Sequence, residues 1–195
     1  MAELELKRDD ALIVVDVQND FLPGGSLAVP RGDEIVPVLN GYIRRFRARS
    51  LPLFATRDWH PMEHCSFRSR GGPWPPHCVA NTKGAQFAPG LELPRSTRVV
   101  SKATREEADA YSGFNGTDLA AQLRAAGVTR VFVGGLATDY CVLNTVKDAL
   151  QEGFDVVLLT DAVRAVDVKP GDGDAAIAEM HSLGARTARL EDLRA

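Results

Sequence analysis

Apolar and polar positions alternate along this chain in blocks that read as a buried sheet covered by amphipathic helices. Ala11 to Val15 is a continuous apolar run that stops at Asp16, the pattern of a strand buried on both faces of a parallel sheet. From Asp33, a candidate N-cap, apolar residues recur at Ile35, Val38, Leu39, Tyr42, Ile43 and Phe46. That is helical spacing, and it leaves Arg44, Arg45 and Arg47 to solvent. Short strands are expected at Leu51 to Thr56, ending at Arg57-Asp58, and at Arg98 to Ser101, ending at Lys102. Further on, helices around Thr117 to Ala126, from about Asp139 to Glu152 and around Gly173 to Leu183 alternate with strands at Arg130 to Val133, Val156 to Leu159 and near Arg186 to Arg189. The alternation predicts an α/β fold, a doubly wound and mostly parallel six-stranded sheet with helices on both faces. One domain is expected over residues 1–195, interrupted by a long Pro/Gly-rich segment at about 58–97 that exceeds a plain connection and points to function.

Composition narrows the partners. The chain of 195 residues carries 23 Lys and Arg against 26 Asp and Glu, a net charge of −3 with no basic stripe, which argues against nucleic acid. Small neutral or organic ligands remain open, and hydrophobic residues at 45% with charged residues at 25% are those of a folded globular protein and unlike a disordered chain. No apolar run approaches the roughly 20 residues of a membrane helix, and the first ten residues are charged throughout, which predicts a cytoplasmic protein with no membrane partner. Cys65, Cys78 and Cys141, an odd and low count, fit reduced thiols better than a disulfide framework. A homo-oligomer is left open.

Ligands of open α/β sheets bind beyond the carboxyl ends of the strands. The polar groups closing the expected strands are Asp16, Asp58, Lys102 and the Gly134 to Cys141 turn. Cys141 opens a helix, where unpaired N–H groups and the helix dipole lower a thiol pKa, although a cysteine there can also be a small buried hydrophobe. No Cys/His pair is evident, so Asp16 is the candidate base, with Lys102 holding it ionised; capping and surface roles are the plain alternatives. Asp58, His60, His64 and His77 offer one carboxylate and three imidazoles, a set that suits Zn²⁺, Mn²⁺ or Fe²⁺. A structural zinc site using Cys65 and Cys78 competes with it, without any CxxC pair.

These residues resemble the nicotinamidase branch of the isochorismatase-like cysteine hydrolases over nearly the whole chain. The matching segments are Asp16-Val17-Gln18-Asn19-Asp20-Phe21, Gly24-Gly25-Ser26-Leu27, Asp58-Trp59-His60 with His64, Trp74-Pro75-Pro76-His77-Cys78, Lys102, Tyr111-Ser112-Gly113-Phe114 and Gly135 to Val142. Tyr140 stands where some relatives have His. The resemblance implies hydrolysis of nicotinamide to nicotinate and ammonia in NAD salvage, and of pyrazinamide. It implies an Asp16, Lys102, Cys141 triad passing through a thioester, and an oxyanion hole from the N–H groups of Ala137 and Cys141 beside a cis Leu136–Ala137 peptide. It further implies one divalent ion, Zn²⁺ first, on Asp58, His60, His64 and His77, binding the pyridine nitrogen. Phe21, Trp74, Tyr111, Leu136 and Ala137 are implied as the substrate pocket. Two alternatives keep the fold: an amidohydrolase of carbamoyl or ureido compounds, and a non-catalytic binding module.

Overall fold

The run at 11–15 forms one of two central strands, and every residue of it is buried from solvent. In the computed structural model, which describes residues 4–194, the strands are β1 (Asp10–Val15), β2 (Leu53–Asp58), β3 (Arg98–Lys102), β4 (Arg130–Leu136), β5 (Asp155–Arg164) and β6 (Arg186–Ala188). They form one sheet of order β3-β2-β1-β4-β5-β6, parallel at every pairing. The α-helices are α1 (Ile35–Ala48), α2 (Leu119–Ala125), α3 (Leu143–Gln151) and α4 (Asp172–Ser182). Leu39, Ile43 and Phe46 of α1 pack on one face against Leu12, Val14 and Phe132, while Leu123, Val146 and Met180 of the other helices pack on the opposite face against Ile13, Val131 and Val133. Successive side chains of one strand thus feed two separate cores, which is why β1 and β4 read as unbroken apolar runs. Among the described residues, no helix is long and apolar enough to cross a membrane.

Several boundaries differ from the sequence expectation, each for a physical reason. Asp33 does not cap α1; it lies inside a 3₁₀ turn, Gly32–Glu34, that leads into the helix. β2 runs on through Arg57 and Asp58, because Asp58 pairs with Lys102 on β3. β4 extends through Gly134 and Gly135 to Leu136. Neither position has room for a side chain: a Cβ on Gly135, whose φ is +135°, would sit 2.0 Å from the Val15 carbonyl oxygen of β1, and one on Gly134 would lie 3.1 Å from the Leu39 side chain and 3.2 Å from Ala162. The following helix does not begin at Asp139; a π-helical turn, Thr138–Val142, carries Cys141 and leads into α3.

The Pro/Gly-rich segment contains no strand and only a short 3₁₀ turn, Arg68–Arg70. It is tied to the loop after β1 by Asn19 N–H to Gln86 C=O and Ala88 N–H to Val17 C=O, each 2.9 Å. At the amino end of the sheet, Arg130 of β4 grips the Asp10 carboxylate of β1 through two hydrogen bonds of 2.7 Å. Gly135→Ala is expected to cost more than about 4 kcal/mol, since both the φ and the contact with β1 must change; urea unfolding followed by circular dichroism measures it.

Candidate active site

The order β3-β2-β1-β4 sets the carboxyl ends of four strands side by side, and each ends in a group with chemistry. Asp16 follows β1 with φ +48°, a left-handed turn that asparagine and aspartate tolerate better than other non-glycine residues. Lys102 ends β3 and is followed by the same kind of turn at Ala103, φ +51°. Its ammonium is buried and lies 2.9 Å from Asp16 Oδ2, in hydrogen-bond contact with Asp58 Oδ1, 3.1 Å from the Ala110 carbonyl and 3.5 Å from Cys141 Sγ. Ligand atoms of Asp16, Asp58 and Cys141 all fall within 4.8 Å of one another. The structure therefore brings together all four of the strand-end groups, Asp16, Asp58, Lys102 and Cys141, with Asp58 paired directly to Lys102.

Burial is the largest influence on each of these groups. It raises the Asp16 pKa, against the pull of Lys102. Burial also resists charge on Asp58, but the Lys102 ammonium and His60 outweigh it and hold that carboxyl below its usual range. Lys102 stays protonated because two carboxylates overcome its desolvation. The Cys141 thiol is pushed up by burial and by Asp16 and Asp58, with Lys102 opposing. This corrects the expectation of a thiol lowered by a helix start: the turn is π-helical and the sulfur is buried beside two carboxylates. The resting sulfur is a thiol, and at Asp16 the Lys102 ammonium favours the carboxylate against burial.

A second group adjoins the first. Asp58, His60 and His77 present ligand atoms within 4.8 Å of one another, all on buried residues. His60 Nε2 is buried with no hydrogen-bond partner, a costly arrangement for a ring nitrogen unless it serves as a ligand. Its other nitrogen, Nδ1, faces the Ala103 carbonyl at 3.3 Å, and His77 Nδ1 faces the Pro75 carbonyl at 2.8 Å. Backbone carbonyls in those positions select the tautomer that frees Nε2. Burial first, and then the His60 ring beside them, lowers the pKa of His64 and His77, so both are neutral imidazoles. The donor set fits a divalent ion.

His64, expected as a fourth ligand, lies outside this group. Its ring stacks 4.2 Å from that of His60, but Nδ1 meets the Ser66 hydroxyl at 2.7 Å and Nε2 the Ala108 carbonyl at 3.2 Å. Both of its nitrogens are thus already engaged. Cys65 and Cys78 are free thiols that join no cluster of ligand atoms among the described residues, which removes the Cys/His zinc alternative.

A narrow cavity of about 50 Å³ opens onto both groups, lined by Phe21, Trp74, His77, Tyr111, Ala137 and Cys141 among others. Trp74 Nε1–H donates to the Tyr111 hydroxyl at 3.0 Å, and the Tyr140 ring meets Trp74 edge-on at 5.3 Å. The remaining walls, from Leu27, Val29 and Val166, are aliphatic. Leu136, expected in the pocket, is not among the residues lining the cavity and packs instead in the core on the α1 side of the sheet. The Leu136–Ala137 peptide is cis.

Three supporting residues carried no readable signal as individuals. Gln18, fully buried, accepts the Asp58 N–H at 2.8 Å and donates to the Asp58 and Ala85 carbonyls at 2.8 and 2.9 Å. Thr56 donates its hydroxyl to Asp16 Oδ1 at 2.7 Å. Asp20 accepts the Cys78 N–H at 2.7 Å, next to His77. Their partners are 40 or more residues away in the chain, so only the fold reveals what they hold.

The chain matches the isochorismatase domain model over residues 10–192. It is 41% identical to the nicotinamidase of Escherichia coli (strain K12), with 93% of this chain and 95% of that protein covered. Among solved structures it resembles the pyrazinamidase of Pyrococcus horikoshii in complex with zinc, with a TM-score of 0.90 and 54% identity, covering 93% of this chain and 99% of that one. PnC1 from L. infantum in complex with nicotinate superposes with a TM-score of 0.91 and 40% identity, covering 100% of this chain and 99% of that one. With four strand ends delivering Asp16, Asp58, Lys102 and Cys141 to one cavity, the chain belongs to the isochorismatase domain family.

Proposed function

We propose that the protein is an amidohydrolase that converts nicotinamide to nicotinate and ammonia, and hydrolyses pyrazinamide in the same way. The observation that carries this reading is Cys141 Sγ, 3.5 Å from a lysine paired with Asp16, on the wall of a ring-sized apolar cavity that also holds Asp58 and His77. The similarity to a nicotinamidase, a zinc-bound pyrazinamidase and a nicotinate-bound enzyme supports it.

The chemistry follows from the groups present. Asp16 accepts the Cys141 proton as the sulfur attacks the carboxamide carbon, and the carbonyl oxygen takes the charge toward the N–H groups of Ala137 and Cys141. Asp16 then returns the proton to the leaving nitrogen, the C–N bond breaks and ammonia departs, leaving a Cys141 thioester. Water attacks that thioester, Asp16 takes a proton from the water, the C–S bond breaks and the proton returns to sulfur. Lys102 keeps the charge on Asp16 between steps. Phe21, Trp74 and Tyr111 sandwich a flat ring and exclude bulkier amides, so part of the barrier is met by orientation. Asp58, His60 and His77 would hold a divalent ion, Zn²⁺ in the first instance with Mn²⁺ or Fe²⁺ as alternatives, and it would supply a Lewis-acid contact for the pyridine nitrogen.

Cys141→Ala is expected to lower ammonia release from nicotinamide by at least about 10³-fold while the protein stays folded, since covalent catalysis ends with the sulfur. Appreciable turnover in that variant, in a coupled ammonia assay, would sink the mechanism. The wild-type protein is expected to bind about one divalent ion per chain. His60→Ala and His77→Ala each lose it, and His64→Ala retains it, as read by elemental analysis after dialysis. Loss in His64→Ala would mean that its ring leaves Ser66 and Ala108 to join the ligand set.

A further inference from the structure

The β4–β5 ladder ends at the pair Leu136 and Arg164. Beyond that rung β4 passes into the turn that carries Cys141, and β5 into an irregular segment at 165–171. Two and three residues on along the β5 side, the N–H groups of Val166 and Asp167 donate to the carboxylate of Asp139, one to each oxygen and each at 2.9 Å. Asp139 lies two residues before Cys141 in the π-helical turn, and Val166 lines the cavity. The segment is fixed on its far side as well: Asp167, at φ +52°, accepts the Gly173 N–H of α4 at 2.8 Å. α4 packs closely there, since a Cβ on Gly173 would lie 2.5 Å from that of Ala165.

We infer that Asp139 is a positioning residue for the ring pocket, one that extends the sheet's pairing past its last rung and so sets the Val166 wall against the nucleophile turn. The identity of the ring rests on the function proposed above; the coupling of the two segments does not.

The residue type fits this task closely. Two consecutive N–H groups need two acceptors side by side, and an ionised carboxylate is acceptor-only with one oxygen for each. Such charge-assisted bonds are roughly twice as strong as neutral ones. Asparagine has nearly the same shape but would set its own NH₂ against one of the two N–H groups. The nucleophile turn, by contrast, has independent support. The N–H groups flanking Cys141, those of Tyr140 and Val142, donate to the Ala137 carbonyl at 3.1 and 3.0 Å. Losing the Asp139 carboxylate therefore loosens the wall and leaves the sulfur in place, and the effect falls on KM more than on kcat.

The test uses the purified wild type and three variants, with steady-state kinetics on nicotinamide and amide hydrogen exchange of the folded protein. Asp139→Asn is expected to raise KM about tenfold with kcat changed by less than about threefold. Protection of the Val166 and Asp167 amides should fall by at least about tenfold, while Tyr140 and Val142 keep theirs. Val166→Ala, which removes the wall and keeps its tether, raises KM with protection at Asp167 unchanged. Asp139→Glu keeps both acceptors one methylene further out; it should raise KM with the amides still protected, and it carries the test if Asp139→Asn does not fold. A fall in kcat at unchanged KM would overturn the proposal, as would unchanged exchange at Val166 and Asp167 in Asp139→Asn. An inactive wild type would instead count against the proposed substrate, and the exchange measurement would still decide the role of Asp139.

Discussion

The site depends on one buried ammonium shared between two buried carboxylates. Removing an unpaired ammonium from water costs several kcal/mol at least, and Lys102 is tolerated in the core because Asp16 and Asp58 both reach it. The sheet delivers this arrangement through its register. Asp58 pairs directly with Lys102 across β2 and β3, and the Asp16 N–H donates to Thr56 at 3.2 Å across β1 and β2. Three adjacent parallel strands ending at nearly the same level place three charges within contact of one another. β4, on the other side of β1, adds the sulfur. Asp58 faces both ways, toward Lys102 through one oxygen and toward His60 through the other at 3.6 Å, so the cluster around Lys102 and the cluster of His60 and His77 share a wall.

Much of this was legible in the sequence because strand ends can be read from where apolar runs stop. Asp16 and Lys102 are the polar residues at which short apolar runs stop, and in the structure Asp16 follows β1 and Lys102 ends β3. Runs also reported the sheet: residues buried on both faces leave no polar alternation, and β1 and β4 show none. Boundaries shifted where tertiary contact overrode local pattern. Gly134 and Gly135 look like turn residues, yet the strand needs them: Val15 leaves no room for a side chain at Gly135, and Leu39 and Ala162 crowd the space beside Gly134. His64 sits four residues from His60, a spacing suited to a shared ligand set, but a serine two residues on captures its Nδ1. Gln18, Asp20 and Asp139 were silent because each acts on a partner distant in the chain, and a polar residue in a loop carries no mark of the amide it will meet.

The raised thiol pKa invites the objection that a protonated cysteine is a poor nucleophile. In the proposed mechanism, however, the transfer moves a proton from Cys141 to Asp16 and leaves the total charge of the cluster unchanged. Burial raises the pKa of both groups, and what counts is the difference between them, so the desolvation common to both cancels. Lys102 lies 2.9 Å from one acceptor of the negative charge and 3.5 Å from the other, and it attracts that charge in either place. A dry site that would forbid the creation of a new charge can therefore still permit its relocation. The same dryness keeps the resting sulfur a thiol, which is the less reactive form toward stray electrophiles. The nucleophile is formed where the proton has somewhere to go, and in this fold that place is the end of the adjacent strand.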